Sequence, residues 1–130
     1  MDKISFMTAN FVARELGYNM AQGWGQGDCA SQDAFRPLNT FEDRFASMLQ
    51  EVKELGFDAV DLWVAHLHWS WATPAHIETA KRLLMEAGIK AVSYAGYFGD
   101  TVQEFEACCR LCESMGIPVL GGGLGLLDND

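Results

Sequence analysis

No apolar run in these 130 residues approaches the roughly 20 needed to cross a bilayer. The opening Met1-Asp2-Lys3-Ile4 also lacks a signal-peptide pattern. Together these absences lead us to expect a soluble, cytoplasmic protein with no membrane partner. Basic residues are scarce: nine Lys and Arg against 18 Asp and Glu leave a formal charge of -9. A phosphate backbone is bound largely through Lys and Arg, so nucleic acid is not an expected partner. The cysteines are too few and too clustered for a disulfide framework. They are Cys29, then Cys108, Cys109 and Cys112 on one expected helix, a pattern that suits reduced thiols. Hydrophobic residues make up 49% of the chain, enough to bury one core, and residues 1–130 read as a single domain.

The stretch from Phe57 to Pro74 organises the rest. Val60, Leu62 and Val64 alternate with Asp61, Trp63 and Ala65, as in a core strand with one uniformly apolar face. His66, His68, Trp69 and Trp71 come next, and Thr73-Pro74 then offers an N-cap with proline at the first helical position. Strand, polar-aromatic loop and capped helix make a βα unit, whose chemistry gathers at the carboxyl end of the strand.

Upstream, Lys3 to Met7 reads as a short first strand. The segment between this strand and about Asn39 is so rich in Gly, Asn, Gln and Asp that a long loop is expected. Its Gly23-Trp24-Gly25-Gln26-Gly27-Asp28 centre matches no nucleotide-binding fingerprint. It is a surface loop or one that covers substrate. Thr40 is expected to open a helix with acidic residues in its first turn, Phe41, Phe45, Met48, Leu49, Val52 and Leu55 on one stripe, and Gly56 at its end. Downstream, Ile77, Ala80, Leu84 and Ala87 form the inner stripe of the helix that closes at Gly88, and Ile89 to Ala95 is the next strand. Thr101 and Glu104 have capping-box spacing. They begin a helix whose stripe is Val102, Phe105, Cys109, Cys112 and Met115, ended by Gly116 and succeeded by a strand over Ile117 to Leu120.

Aligned on Gly56, Gly88 and Gly116, the chain shows helix, glycine and strand three times at about 30-residue spacing. In that alignment Val60, Val92 and Leu120 point toward the helices, and Asp61, Ser93 and Gly121 to the other side. Small and polar residues on that side suit a barrel interior.

Gly56-Phe57-Asp58-Ala59-Val60-Asp61-Leu62-Trp63, Ala65-His66-Leu67, Trp71-Ala72-Thr73 and Met115-Gly116-Ile117-Pro118-Val119-Leu120-Gly121-Gly122 together resemble the xylose isomerase-like TIM-barrel superfamily, in particular its sugar phosphate isomerase/epimerase members. The resemblance runs from the first strand to Gly123. It implies an α/β protein of TIM (βα)8-barrel type, of which only the first four βα elements, a half barrel, are present. It implies a parent reaction in which a divalent metal (Mg, Mn, Co or Zn) assists proton transfer on a sugar or sugar phosphate. The family's main metal ligands come from later strands, so no metal is assigned to this chain, and the half is expected to be inactive alone. Two rival readings are a non-catalytic self-associating half barrel and an abasic-site endonuclease-like enzyme, which the acidity disfavours.

The resemblance carries His66 over as a substrate-pocket residue. In the endonuclease relatives, a histidine near this position binds zinc. In an extended segment His66 and His68 would project to one side, a spacing also used for metals. Ordinary hydrogen-bonded loop histidines are the plain alternative. Trp63 is a candidate to stack on a sugar, or else a core residue. Asp61 faces the barrel mouth or waits for a partner in the other half. Cys109 and Cys112 read as packing. A half barrel leaves its first and fourth strands unpaired and uncovers an inner face including Phe6, Trp63 and Tyr94, or their neighbours. A homodimer or larger self-association is therefore expected.

Overall fold

The computed structural model describes residues 4–128. Four strands, β1 (Phe6–Met7), β2 (Ala59–Trp63), β3 (Lys90–Tyr97) and β4 (Leu120–Gly123), form one parallel sheet in the order β1-β2-β3-β4. Helices α2 (Leu38–Glu54), α3 (Pro74–Ala87) and α4 (Val102–Met115) make the crossovers. Sequential order with every crossover of the usual right hand places these helices on one side of the sheet. One core accordingly joins Phe41, Phe45 and Met48 of α2, Leu83 and Leu84 of α3, and Cys108 and Leu111 of α4 to Val60, Leu62 and Tyr94 of the strands. The protein is α/β, with strands and helices alternating as expected.

Register decides which strand residues face that core. Leu62, Tyr94 and Leu120 are aligned across three strands, as are Phe6 and Val60. Aligned residues of parallel strands share a face, so Phe6 and Tyr94 lie on the helix side, away from Trp63. The structure divides the two expected groupings: Trp63 takes the face away from α2, α3 and α4 together with Met7 and Ala95, the neighbours of Phe6 and Tyr94. Asp61 aligns with Met7 and Ser93, and Ala95 with Gly121, which places Asp61, Ser93 and Gly121 together on the opposite face as read from sequence. Val60 pairs with Ala91 while Asp61 pairs with Ser93, so Val92 is the extra residue of a bulge. Tyr94, not Val92, fills the helix-facing rank between Leu62 and Leu120.

The largest correction lies between Met7 and Asn39. The expected loop contains two short 3-10 turns, Thr8–Phe11 and Arg14–Leu16, and a three-turn helix, α1 (Trp24–Phe35). Its buried face is Gly27, Ser31 and Phe35, four residues apart. Gly27 is required there: a Cβ would sit 2.4 Å from the Val12 carbonyl oxygen and 2.6 Å from a Val12 methyl. Packing against Val12 outweighs the roughly 1 kcal/mol that glycine costs a helix.

Other boundaries shift for local reasons. α2 begins at Leu38 behind Pro37 rather than at Thr40, which leaves no acidic residue in its first turn. β1 is confined to Phe6–Met7, and the expected start at Lys3 lies outside the described residues. β3 extends to Tyr97, and β4 begins only at Leu120, because Ile117 is still closing the α4 terminus through its bond to the Cys112 carbonyl. On α4 the inward stripe is Cys108, Leu111 and Cys112, with Phe105 and Met115 packed against it; Val102 and Cys109 are exposed, contrary to expectation. Thr73 caps α3 in a capping box with His76 in the place usually held by Glu or Gln.

Candidate functional site

The carboxyl end of β2 runs into a 3-10 turn, Val64–His66, rather than an extended loop. A helical turn abolishes the two-residue alternation, so His66 and His68 do not present a paired face as expected. His66 is buried, its Nδ1 3.0 Å from the Thr8 hydroxyl, with the Phe35 and Trp63 rings packed edge-on to it. The Trp63 amide donates to the same hydroxyl at 2.8 Å. The Thr8 hydroxyl carries one proton and two lone pairs, so beside that amide it serves Nδ1 in either tautomer of His66. Burial, aided by the charge of Arg14, pushes the His66 pKa down to about 3, so the ring is neutral. His68 is half-buried and held locally, its Nδ1 accepting from the Ser70 amide at 3.1 Å and lying 2.8 Å from the Ser70 hydroxyl. Burial lowers its pKa, and Asp28 pulls the other way.

Asp61 has both carboxylate oxygens engaged within this chain. Ser5 Oγ donates to one at 2.5 Å and Ser93 Oγ to the other at 2.6 Å. The carboxylate thus bridges the segment before β1, β2 and β3 on the face opposite α2, α3 and α4, half-buried. Its partners within the chain are hydroxyls of the segment before β1 and of β3. Trp63, two residues on, is buried beneath Trp24 and against His66. The other two indoles of the loop are satisfied locally: Trp69 donates to the Tyr97 carbonyl and Trp71 to Gln32.

The structure therefore brings Trp63 and His66 into contact, sets Asp61 on the same sheet face as Trp63, and leaves His68 to a separate turn. Sequence reasoning missed Thr8, Ser5, Phe35 and Trp24. A threonine and a serine flanking the first strand were the available signal for the two hydroxyl partners. Phe35 had none, and Trp24 entered only as part of the glycine-rich segment read as a loop, because both arrive on a helix the composition disguised. Cys108 and Cys112 are buried, their thiols pushed up to about 12 mainly by desolvation, as inert packing groups should be. Open surface clefts lie away from Asp61 and His66. One of about 300 Å³ is walled by Arg14, Glu15, Asp43, Arg44 and Ser47, and one of about 320 Å³ includes Lys81, Met85 and Lys90. In the first, Arg14 and Arg44 are already paired with Glu51 and Glu15.

No family model, curated protein or solved structure matches the chain. Among the described residues, no three His, Cys, Asp or Glu side chains come together as a metal-binding group. With Asp61 bracketed by serines and His66 Nδ1 facing Thr8, the donor set does not fit a divalent cation. The chemistry these residues offer is hydrogen bonding: a carboxylate with two hydroxyls, and a neutral imidazole behind an aromatic wall.

Proposed function

We propose that this chain forms four βα elements of a TIM-type barrel of the xylose isomerase-like kind, and that the sheet face bearing Asp61 binds a sugar or sugar phosphate. The parent reaction is then isomerisation or epimerisation by proton transfer between neighbouring carbons. The observation that carries the reading is the Ser5–Asp61–Ser93 bracket on the face opposite α2, α3 and α4 of a sheet wound in sequential order. Sequential winding is how a barrel is built, whereas an open doubly wound sheet reverses its order at a switch point. A carboxylate flanked by hydroxyls recognises polyols, since its remaining lone pairs accept from sugar hydroxyls and the serines, their protons given to Asp61, accept as well. Asp61 faces the substrate, and Trp63, buried beneath Trp24, backs the site. His66 acts as a neutral group behind Trp63, and His68 stands at the periphery. The cation of the parent reaction is not held by these residues, so no proton-transfer step is assigned to this chain.

The test is calorimetric titration with ketohexoses and their phosphates, with and without Mn²⁺. Binding without turnover is expected, weakened at least tenfold by Asp61→Asn. Failure of every sugar to bind, or an unaffected Asp61→Asn variant, overturns the reading. A second reading, a non-catalytic self-associating half barrel, is favoured by the two end strands, β1 and β4, each of which pairs on one side only among the described residues.

A further inference from the structure

α3 and α4 run side by side over one face of the sheet, and the furrow between them opens into two sockets. The first, of about 260 Å³, has Trp69, Ile77 and Leu111 for its apolar surface and the exposed Arg110 and Ser114 beside them. The second, of about 320 Å³, has Leu84, Ile89 and Met115, with the exposed Lys81 and Lys90 beside them. Ile77 and Leu84 are seven residues apart on α3, so the sockets are spaced by about two helical turns, roughly 10 Å. Charge sets this furrow apart. The chain carries 18 Asp and Glu against nine Lys and Arg, yet Lys81, Lys90 and Arg110 line the sockets and, among the described residues, no Asp or Glu does. Within the chain these cations have little to hold. Lys90 and Arg110 make no ion pair among the described residues, and Lys81 reaches only the exposed Glu78, at 3.9 Å, whereas Arg82 on α3 is held by both Glu42 and Glu86.

We infer that the furrow between α3 and α4 docks an acidic amphipathic helix of a partner protein, its two large apolar side chains seated in the sockets and its carboxylates against Lys81, Lys90 and Arg110. A helix laid in such a groove reaches it through side chains on one face, and anchors at i and i+7 match the two turns of α3 between Ile77 and Leu84. Apolar burial holds the partner. The cations select its sign, since a basic helix would meet like charge. The α-helices of this chain do not supply the occupant: their exposed large apolar residues are Trp24, Leu38, Met85 and Val102, one to each helix, so none offers a pair of anchors. The furrow lies on the opposite side of the sheet from Asp61, and the inference is independent of sugar binding.

The experiment follows the fluorescence anisotropy of a labelled peptide of about 18 residues, built from Glu, Ala and Gln with two leucines seven residues apart, beside a control peptide in which every Glu is Lys. Wild type is expected to bind the acidic peptide in the micromolar range, about tenfold or more tightly than the control, and to lose most of that binding between about 0.05 and 0.5 M NaCl. The double variant Lys90→Glu/Arg110→Glu should weaken the acidic peptide about tenfold or more. Arg36→Glu/Lys53→Glu, which changes the net charge equally at exposed positions elsewhere, should stay within about twofold of wild type. Urea unfolding checks that each variant folds, and the salt and control-peptide arms test the inference on wild type alone. No binding of the acidic peptide by wild type overturns the inference. Equal binding of the two peptides makes the contact merely apolar, and equal losses in the two double variants make it a matter of net charge; either result overturns it too. If wild type self-associates in light scattering and only Lys90→Glu/Arg110→Glu disperses it, the furrow receives a second copy of this chain, and the acidic partner is overturned.

Discussion

His66 shows how one buried group makes stability depend on pH. Its folded pKa of about 3 lies below the 6.5 of the unfolded chain, so below pH 6.5 the unfolded state takes up a proton that the folded state refuses. Stability from this residue is complete above about pH 6.5 and falls as the pH drops toward 3, at up to about 1.4 kcal/mol per unit. Urea unfolding at pH 7.5 and pH 5 should show wild type losing about 2 kcal/mol more than His66→Gln over that interval. Equal losses would mean the ring is not sealed from solvent. Ser31 is the opposite case: its hydroxyl is buried on α1 with no hydrogen-bond partner among the described residues. Ser31→Ala removes an unsatisfied polar atom and improves helix propensity, and should raise stability by about 1 kcal/mol in the same assay.

At the scale of elements, glycines that look alike in sequence have different roles. Gly88 and Gly116 close α3 and α4 in the left-handed conformation, with open space or only Lys53 nearby among the described residues. Those helix ends were legible because the αL cap is a local signal. Gly122 is a contact residue. A Cβ there would lie 1.8 Å from the carbonyl oxygen of Gly96, its register partner on β3, at a φ of 153°. Gly122→Ala should detach β4, seen as loss of amide protection over Leu120–Gly123 and a stability loss of about 3 kcal/mol or more, whereas Gly121→Ala, with no described atom within 4 Å, should be nearly neutral. α1 was illegible for the converse reason. Its glycines lower helix propensity, and only its packing on Val12 and His66 offsets them.

For the whole molecule, the sheet has an outer edge at β1 and another at β4. The β4 edge consists of Leu120 and three glycines, with no charge, bulge or proline inside the strand to discourage pairing. Pairing of β4 in one copy with β1 of another would join eight strands and enclose Asp61 and Ser93. The charge of -9 per copy opposes this at long range, so association should strengthen with salt. Light scattering at micromolar concentration is expected to show a dimer or larger species, dispersed by Gly121→Glu, which adds an inward-facing charge where there is room for a side chain. A monodisperse wild-type monomer at every salt concentration rules out this pairing.

Sequence alone determined the alternation of helix and strand from Thr40 onward, the glycine stops, the capping threonines and the split of Asp61 and Ser93 from Val60 and Leu62, because these depend on local propensity and period. Only the tertiary structure decided that a glycine-rich stretch is helical, that a bulge puts Tyr94 in the place of Val92, and that His66 sits against Thr8 in a turn apart from His68. Each of these depends on contacts between residues distant in sequence. A close approach to Val12, a register shift between strands and a hydroxyl 58 positions away leave no periodic trace in the chain that makes them.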